Sequence, residues 1–378
     1  MTFTRIIESA RAALGPTGLT GPAVDALLAA SLPDAGAEIW RYSRIGELDL
    51  DTFSFATAST AVTPAASASA GASLGLPADA TDVFADANAL LSRPTVVTVA
   101  AGQIVAEPIY VTHDIVGDDV VVFPRLVIDA GPNSEVTIVE RFTSGVARVL
   151  VCPVLELRAH PSARVRYLGI NALGPNAWLL AAQQAEGHRD STITLATVAF
   201  GGDYARVRTE CRLVGQGAHA EQLGVSFGEL GQMHDLRVLQ EHVAPRTTSN
   251  LLFKGAVQDE SSSVYTGLIR IGKDARGSVA FQTNRNLKLS DKAWAESVPN
   301  LDIENNDVRC SHASSIGPID PDQRFYLESR GIPSGIAERL IILGFFDEVL
   351  ARLPGGRADL GSFVTAKLDH RQPAALAS

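Results

Sequence analysis

The chain is poor in the residues from which many binding platforms are built. Of 378 residues only 6% are aromatic, and there are two methionines and three cysteines. Sparse aromatics exclude a stacking platform for single-stranded nucleic acid, and scarce methionine excludes a Met-rich promiscuous groove. Three cysteines are too few, and odd in number, for a disulfide framework. There is no excess of basic charge: 32 Lys and Arg stand against 42 Asp and Glu, a net charge of −10. An acidic chain has no global pull on nucleic acid or anionic membrane. No run approaches the roughly 18 apolar residues of a membrane span, and the opening MTFTRIIESARAALG has no continuous apolar stretch of the kind a secretory signal needs. The expectation is a reduced, cytoplasmic, globular protein.

What the chain has in quantity is turn formers, 32 Gly and 19 Pro. The first segment reads helical, with Ile6, Ile7, Ala10 and Leu14 at helical spacing and Gly15-Pro16 as its stop. Pro22 opens a second short run with Val24, Leu27 and Leu28 as its stripe. Residues 56–73 are almost entirely Ala, Ser and Thr, which reads as a linker or a loosely held strand.

From Thr95 onward the texture is β-rich, with short apolar runs separated by Gly, Pro, Asn, Asp and Ser. Polar turns recur ahead of side-chain pairs that point the same way. Val136, Val165 and Ile193 lead such pairs at steps of 165 − 136 = 29 and 193 − 165 = 28. Val264 and Val279 do so at a half step of 15. A pulse of 14–15 residues inside a period of 28–29 is the signature of a stacked β-solenoid, with an irregular β-sandwich as the bland alternative. After Ser315 the pattern becomes helical: a short helix around Phe325, Leu327 and Glu328 breaks at Gly331-Ile332-Pro333. A second follows, capped by Ser334, with Ile336, Leu340, Ile341, Leu343 and Phe345 apolar, and the tail beyond Gln372 reads as frayed. The organisation is therefore an N-terminal helical region (1–55), an Ala/Ser linker (56–80), a β-helix core (81–315) and a C-terminal helical region (316–378).

Several motif matches fail on context. Gly224-Val225-Ser226-Phe227-Gly228 has the residues of a nucleophile elbow, but its flanks alternate like strands, so Ser226 reads as a rung serine. Gly267 to Asp274 imitates a phosphate loop without the Ser/Thr or the following helix. Cys152 and Cys211 lie in apolar strands and read as buried small hydrophobes; His113, His160, His188, His219 and His242 read as polar rung or surface residues. One constellation stands apart: in Arg309-Cys310-Ser311-His312, a strand would put Cys310 and His312 on one face, half of a soft-metal site that needs further ligands from a partner. The competing reading is a chance Cys-x-His in an edge strand.

That stretch also carries a family likeness. Asn286-Leu287, Leu289-Ser290-Asp291-Lys292-Ala293, Pro299-Asn300-Leu301-Asp302-Ile303, Asn306-Asp307-Val308, Cys310-Ser311-His312-Ala313, Gly317 and Phe325-Tyr326-Leu327-x-Ser329-Arg330-Gly331-Ile332 resemble the SufB/SufD family of iron–sulfur cluster assembly scaffolds. Glu38-x-Trp40-Arg41-Tyr42, Phe84, Asn88-Ala89, Gly102 and Pro108-Ile109 extend the resemblance over about residues 30–355. The Cys-Ser-His form at 310–312 is closer to SufD than to SufB. Ala313-Ser314-Ser315 departs from the usual Gly-Ala-Thr there, and Ile39 departs before Trp40.

The resemblance implies a right-handed parallel β-helix flanked by helical ends, and a non-enzymatic scaffold subunit. It implies pairing with a SufB-like scaffold through the last β-helix strands, or a homodimer when the chain is alone. It also implies docking of a SufC-like ABC ATPase on the C-terminal helices, with Ile336, Leu340, Ile341, Leu343, Phe345 and Phe346 as candidate contacts. By the same likeness, iron enters and a transient iron–sulfur cluster forms at the shared interface, with His312 a candidate ligand and Cys310 beside it. A reduced flavin also belongs to the family's chemistry, but these residues offer no place for one. Two readings compete: a β-solenoid enzyme acting on polysaccharide, which the missing signal and few aromatics disfavour, and a purely structural SufD with no metal role.

Overall fold

A computed structural model describes the chain except for residues 1, 16–18, 80–81, 355–357 and 370–378; side chains 358–360, 362 and 363 are also undescribed. Pro16 of the first stop signal and the tail beyond Gln372 lie outside the described residues. In chain order the described elements are α1 (Thr4–Leu14), α2 (Pro22–Ala29), β1 (Ser54–Phe55), β2 (Ser59–Thr63), β3 (Ser69–Ala70) and α3 (Val83–Leu91). Then come β4 (Thr95–Val99), β5 (Ile109–Ile115), β6 (Val120–Val122), β7 (Arg125–Ala130), β8 (Glu135–Ser144), β9 (Val149–Val151), β10 (Val154–Ala159), β11 (Arg164–Ala172), β12 (Ala177–Gly187) and β13 (Thr192–Ala199). The series ends with β14 (Tyr204–Leu213), β15 (His219–Gly228), β16 (Met233–His242), β17 (Thr248–Val257), β18 (Ser262–Ile271), β19 (Val279–Lys288), β20 (Trp294–Ile303), β21 (Arg309–Gly317), α4 (Pro321–Ser329), α5 (Ser334–Leu350) and α6 (Ala358–Asp369).

From β12 onward successive strands alternate between two sheets and pair in parallel with the strand two steps back; in the earlier coils, where β6 and β9 add a third strand, the parallel partner lies three steps back, and the whole is a β-solenoid of about eight turns. One sheet runs β20-β18-β16-β14-β12-β10-β7-β4-β3; the other runs β2-β5-β8-β11-β13-β15-β17-β19-β21. The period read from sequence is the register itself: Val165 stands opposite both Val136 and Ile193. One corner of every coil is turned by a residue with positive φ: Asn133 (56°), Ser162 (60°), Asp190 (56°), Gly217 (74°), Arg246 (57°) and Gly277 (70°). Asn, Asp and Gly adopt this conformation at little cost, which is why polar turns mark the period. Each of these corner N–H groups donates to a carbonyl of the next coil, as from Ser162 to Arg189 (2.8 Å) and from Asp190 to Gln216 (2.9 Å). The corners are thereby satisfied although the chain reverses there.

The strands bury side chains on both faces. Inside the solenoid, Val136, Ile138, Val165, Ile193 and Leu195 pack on Leu126, Leu155 and Leu157 of the facing sheet. The outer face of the first sheet carries the N-terminal region, where Phe3, Ile6, Trp40 and Phe84 pack on Val121, Leu150, Leu180 and Tyr204. The outer face of the second sheet carries the C-terminal helices, where Ile342, Phe346, Val349 and Leu368 pack on Val198, Phe227 and Leu252. Asn88 of α3 ties the first layer down, donating to the carbonyls of Pro124 (2.7 Å) and Cys152 (2.8 Å) and accepting from Arg125 (3.1 Å). A buried Glu140 carboxylate accepts from His113 Nε2 (2.8 Å) and the Tyr167 hydroxyl (2.5 Å). Thr60 Oγ1 completes the chain at His113 Nδ1 (2.9 Å).

Part of the Ala/Ser stretch is strand. β2 pairs antiparallel with β5, and β3 pairs antiparallel with β4, so the N-terminal edge of each sheet ends in a short antiparallel strand. Ser334 is the first helical residue of α5 rather than its cap. Pro333 occupies the cap position, and no side chain caps that end. The helix before it is capped, with Asp320 accepting from the N–H of Asp322 (2.9 Å). None of the described helices is long and apolar enough to cross a membrane.

Candidate functional site

At its C-terminal end the solenoid stops without a cap. β21 is paired on one side only, to β19, and β20 only to β18. The direction of the unpaired groups follows from the ladder. The N–H of Arg309 donates back to Ser278 (3.0 Å), so by alternation the N–H groups of Cys310, His312, Ser314 and Ile316 point to the open edge. In β20 the N–H of Trp294 donates back to Ser261 (3.0 Å), which puts Pro299 at an edge-facing position where no N–H exists. Proline is tolerated there because that edge has no strand beyond it, and it interrupts the row of donors. β21 keeps its row whole.

Cys310 and His312 share the inward face of β21, as the strand alternation predicts. In register they continue two columns of lumenal side chains, Ala280 to Cys310 and Gln282 to His312. Cys310 is half-buried against the lumenal cluster, and burial pushes its thiol up. His312 is exposed, because no further coil covers it. Asp307 lies outside the strand, in the corner, where its carbonyl accepts from Gly277. A sulfur and an imidazole nitrogen on one face at the mouth of the lumen suit a soft or borderline metal. Among the described residues no group of three His, Cys, Asp or Glu side chains converges on a metal site. The pair is therefore a partial donor set.

The other sequence candidates separate cleanly. Cys152 and Cys211 are fully buried in the solenoid wall, and burial pushes Cys211 up to about 12. Ser226 is buried within β15, not on a strand–helix turn. Gly267 to Asp274 runs along β18 into a corner, with no helix to receive phosphate. His242 is buried between Thr247 and Ser249 (2.7 and 2.8 Å). His160 and His188 stack at adjacent corners, 5.6 Å apart.

The six candidate docking residues do not share one face. Phe346 is buried against Phe227 (ring centroids 6.1 Å) and is a core residue, unavailable to a partner. Leu343 and Phe345 are half-buried in the same cluster, and Lys254 holds that turn by donating to the Phe345 carbonyl (2.6 Å). Ile341 is intermediate. Ile336 (52% exposed) and Leu340 (46%) remain outside, next to Phe325 (70%) and Tyr326 (58%) of α4, which sequence analysis had not nominated. The apolar character of α5 on all sides hid which face it buries.

Residues 113–345 match the family model described as SUF system FeS cluster assembly, SufBD core domain. An iron–sulfur cluster assembly SufBD family protein of Mycobacterium tuberculosis is 34% identical over 304 residues, 78% of this chain and 75% of that protein. One of Mycobacterium leprae is 34% identical over 290 residues, 74% of this chain and 72% of that protein. A more distant one, from Staphylococcus epidermidis, is 26% identical over 234 residues, 61% of this chain and 50% of that protein. The lumenal Cys310–His312 pair and the open final coil both fall inside the matched core, and the chain belongs to the SufBD family of iron–sulfur cluster assembly proteins.

Proposed function

We propose that the chain is a SufD-type scaffold subunit of a cytoplasmic SUF complex. It supplies binding groups and mechanical linkage, not catalysis of its own. The observation that carries this reading is the uninterrupted free edge of β21 with Cys310 and His312 beside it. An unpaired edge is an unstable surface unless something covers it. A second scaffold of the same architecture, SufB-like, extends the sheet by one strand and brings the missing donors with it. The substrate is iron with sulfide, assembled at that junction. A site split between two chains can open when they separate, which a labile cluster requires for release.

The exposed apolar group of Phe325, Tyr326, Ile336 and Leu340 is the proposed seat of a SufC-like ATPase. ATP-driven dimerisation of that partner would pull on the helical layer and bias the junction between closed and open states.

Two measurements test the reading. Expression in the native operon context should co-purify a longer homologous scaffold and an ATPase; a chain that comes out alone overturns the assignment. His312→Ala should leave the complex assembled and abolish cluster maturation. Normal maturation with an intact complex removes the ligand role and favours the purely structural reading. In that case Ile336→Asp with Leu340→Asp would still impair maturation.

A further inference from the structure

The lumen changes character along its length. In the early coils the second inward column of the β2–β21 sheet is apolar or aromatic: Ile138, Tyr167 and Leu195, in register. Toward the open end it reads Gln222, Leu251, Gln282 and His312. The two glutamines are treated differently. Gln222 donates across the lumen to Gln240 (2.8 Å), and Gln240 donates to the Cys211 carbonyl (3.2 Å). Gln282 is 1% exposed, yet neither its amide oxygen nor its amide nitrogen has a hydrogen-bond partner within the chain. The hydroxyl of Tyr265, 2% exposed, is equally unpartnered.

These orphaned groups converge. A Cβ placed on Gly267 would stand 2.6 Å from both Gln282 Oε1 and the Tyr265 oxygen, so the missing side chain makes the room they share. Gly267 lies on β18 directly across the lumen, and Gln282 sits one strand beneath His312, at the ordinary sheet spacing of about 4.8 Å. Leaving a buried amide unpaired costs about 1–3 kcal/mol. Such a cost beside a partial donor set points to a group that is satisfied when the site is in use. A histidine that binds metal through one ring nitrogen needs an acceptor for the N–H of the other.

We propose that Gln282 is the positioning residue of the His312 site: its Oε1 accepts the inward ring N–H of His312, leaving the other ring nitrogen for a divalent metal. Tyr265 donates to the same amide oxygen and fixes its orientation. The inference rests on the reading of Cys310 and His312 as donors, but not on the identity of any partner.

Cobalt(II) titration of the full chain tests it, read by the visible ligand-field spectrum. Wild type should bind and H312A should not. Q282L should bind 10- to 100-fold more weakly, the usual range for loss of such a support. Q282E, which keeps an acceptor, should recover most of the affinity, and Y265F should lose less than Q282L. The melting temperature separates positioning from structure: replacing an orphaned amide by an apolar side chain should leave it unchanged or raise it. Equal cobalt affinity in wild type and Q282L overturns the proposal, as does a wild type that binds no better than H312A. A melting temperature that falls in Q282L alongside its affinity also overturns it. Failure of the partner co-purification would leave this titration standing, so the two readings fail separately.

Discussion

The two ends of the solenoid are built differently. At the N-terminal end each parallel stack stops at a short antiparallel strand, β2 of five residues and β3 of two, and α1, α2 and α3 cover the adjoining wall. At the C-terminal end, β20 and β21 are paired on one side only, and Cys310 and His312 stand at the mouth. Natural sheets rarely tolerate a long free edge. The parallel stack is ended at one side by short strands of reversed direction, whereas at the other it ends on two full strands, β20 of 10 residues and β21 of nine. That long free edge is the surface on which the proposed pairing with a second scaffold rests.

The largest expected effect lies at the N-terminal end. Phe84 is buried among Phe3 and Trp40, with ring centroids 6.0 Å from each. Phe84→Ala should cost about 3–5 kcal/mol of stability, measured by denaturant unfolding. A loss below about 1 kcal/mol would mean the N-terminal layer is not part of the cooperative fold.

The middle coils come next and respond to pH. Burial lowers His242 from the ordinary 6.5 to about 4, and burial with Lys367 nearby lowers His234 to about 3. Both remain neutral in the folded chain while their unfolded forms gain protons below 6.5, so the unfolded state binds more protons there. Stability is therefore fully present above pH 6.5 and falls as pH drops toward 4, by about 1.4 kcal/mol per pH unit for each histidine. His242→Asn should make that acid limb shallower, leaving the share due to His234, checked by denaturant midpoints between about pH 7 and about pH 4.5 at constant ionic strength. An unchanged slope would remove His242 as a cause.

A smaller loss is expected at the start of the C-terminal helices. Asp320→Ala removes the cap of α4 and should cost about 1 kcal/mol. The smallest stability effect belongs to the open edge. Ser314→Pro deletes an outward N–H and leaves the ladder to β19 intact, so stability should change by about 0.5 kcal/mol or less. Pairing with a co-expressed SufB-like scaffold, followed by size-exclusion chromatography, should nevertheless be lost. Retained pairing would show that the edge is not where the chains join.

The coil period was legible because one corner of each coil is turned by a residue with positive φ, and at that corner those residues are polar or Gly. The shared face of Cys310 and His312 was legible because strand alternation is fixed. The antiparallel pairing of Ser59–Thr63 was not, since Ala, Ser and Thr carry no hydrophobic alternation to read. α3 was missed as a helix, although Asp82 caps it by accepting from Phe84 N–H (2.9 Å). Gln282 was invisible as a support, because an amide without a partner leaves no mark on local pattern.

The stacking of equal coils also sets a length. α5 rests on β15 and β17, anchored by Lys254 of β17, whereas Cys310 and His312 lie on β21, two strands further along the same sheet. At about 4.8 Å per strand, the anchor of α5 at Lys254 and the strand that carries Cys310 and His312 stand about 10 Å apart along the stack. The solenoid is thus a ruler graduated in whole coils. Insertion or deletion of one coil would change the reach between the two surfaces by a single fixed increment while leaving each of them intact.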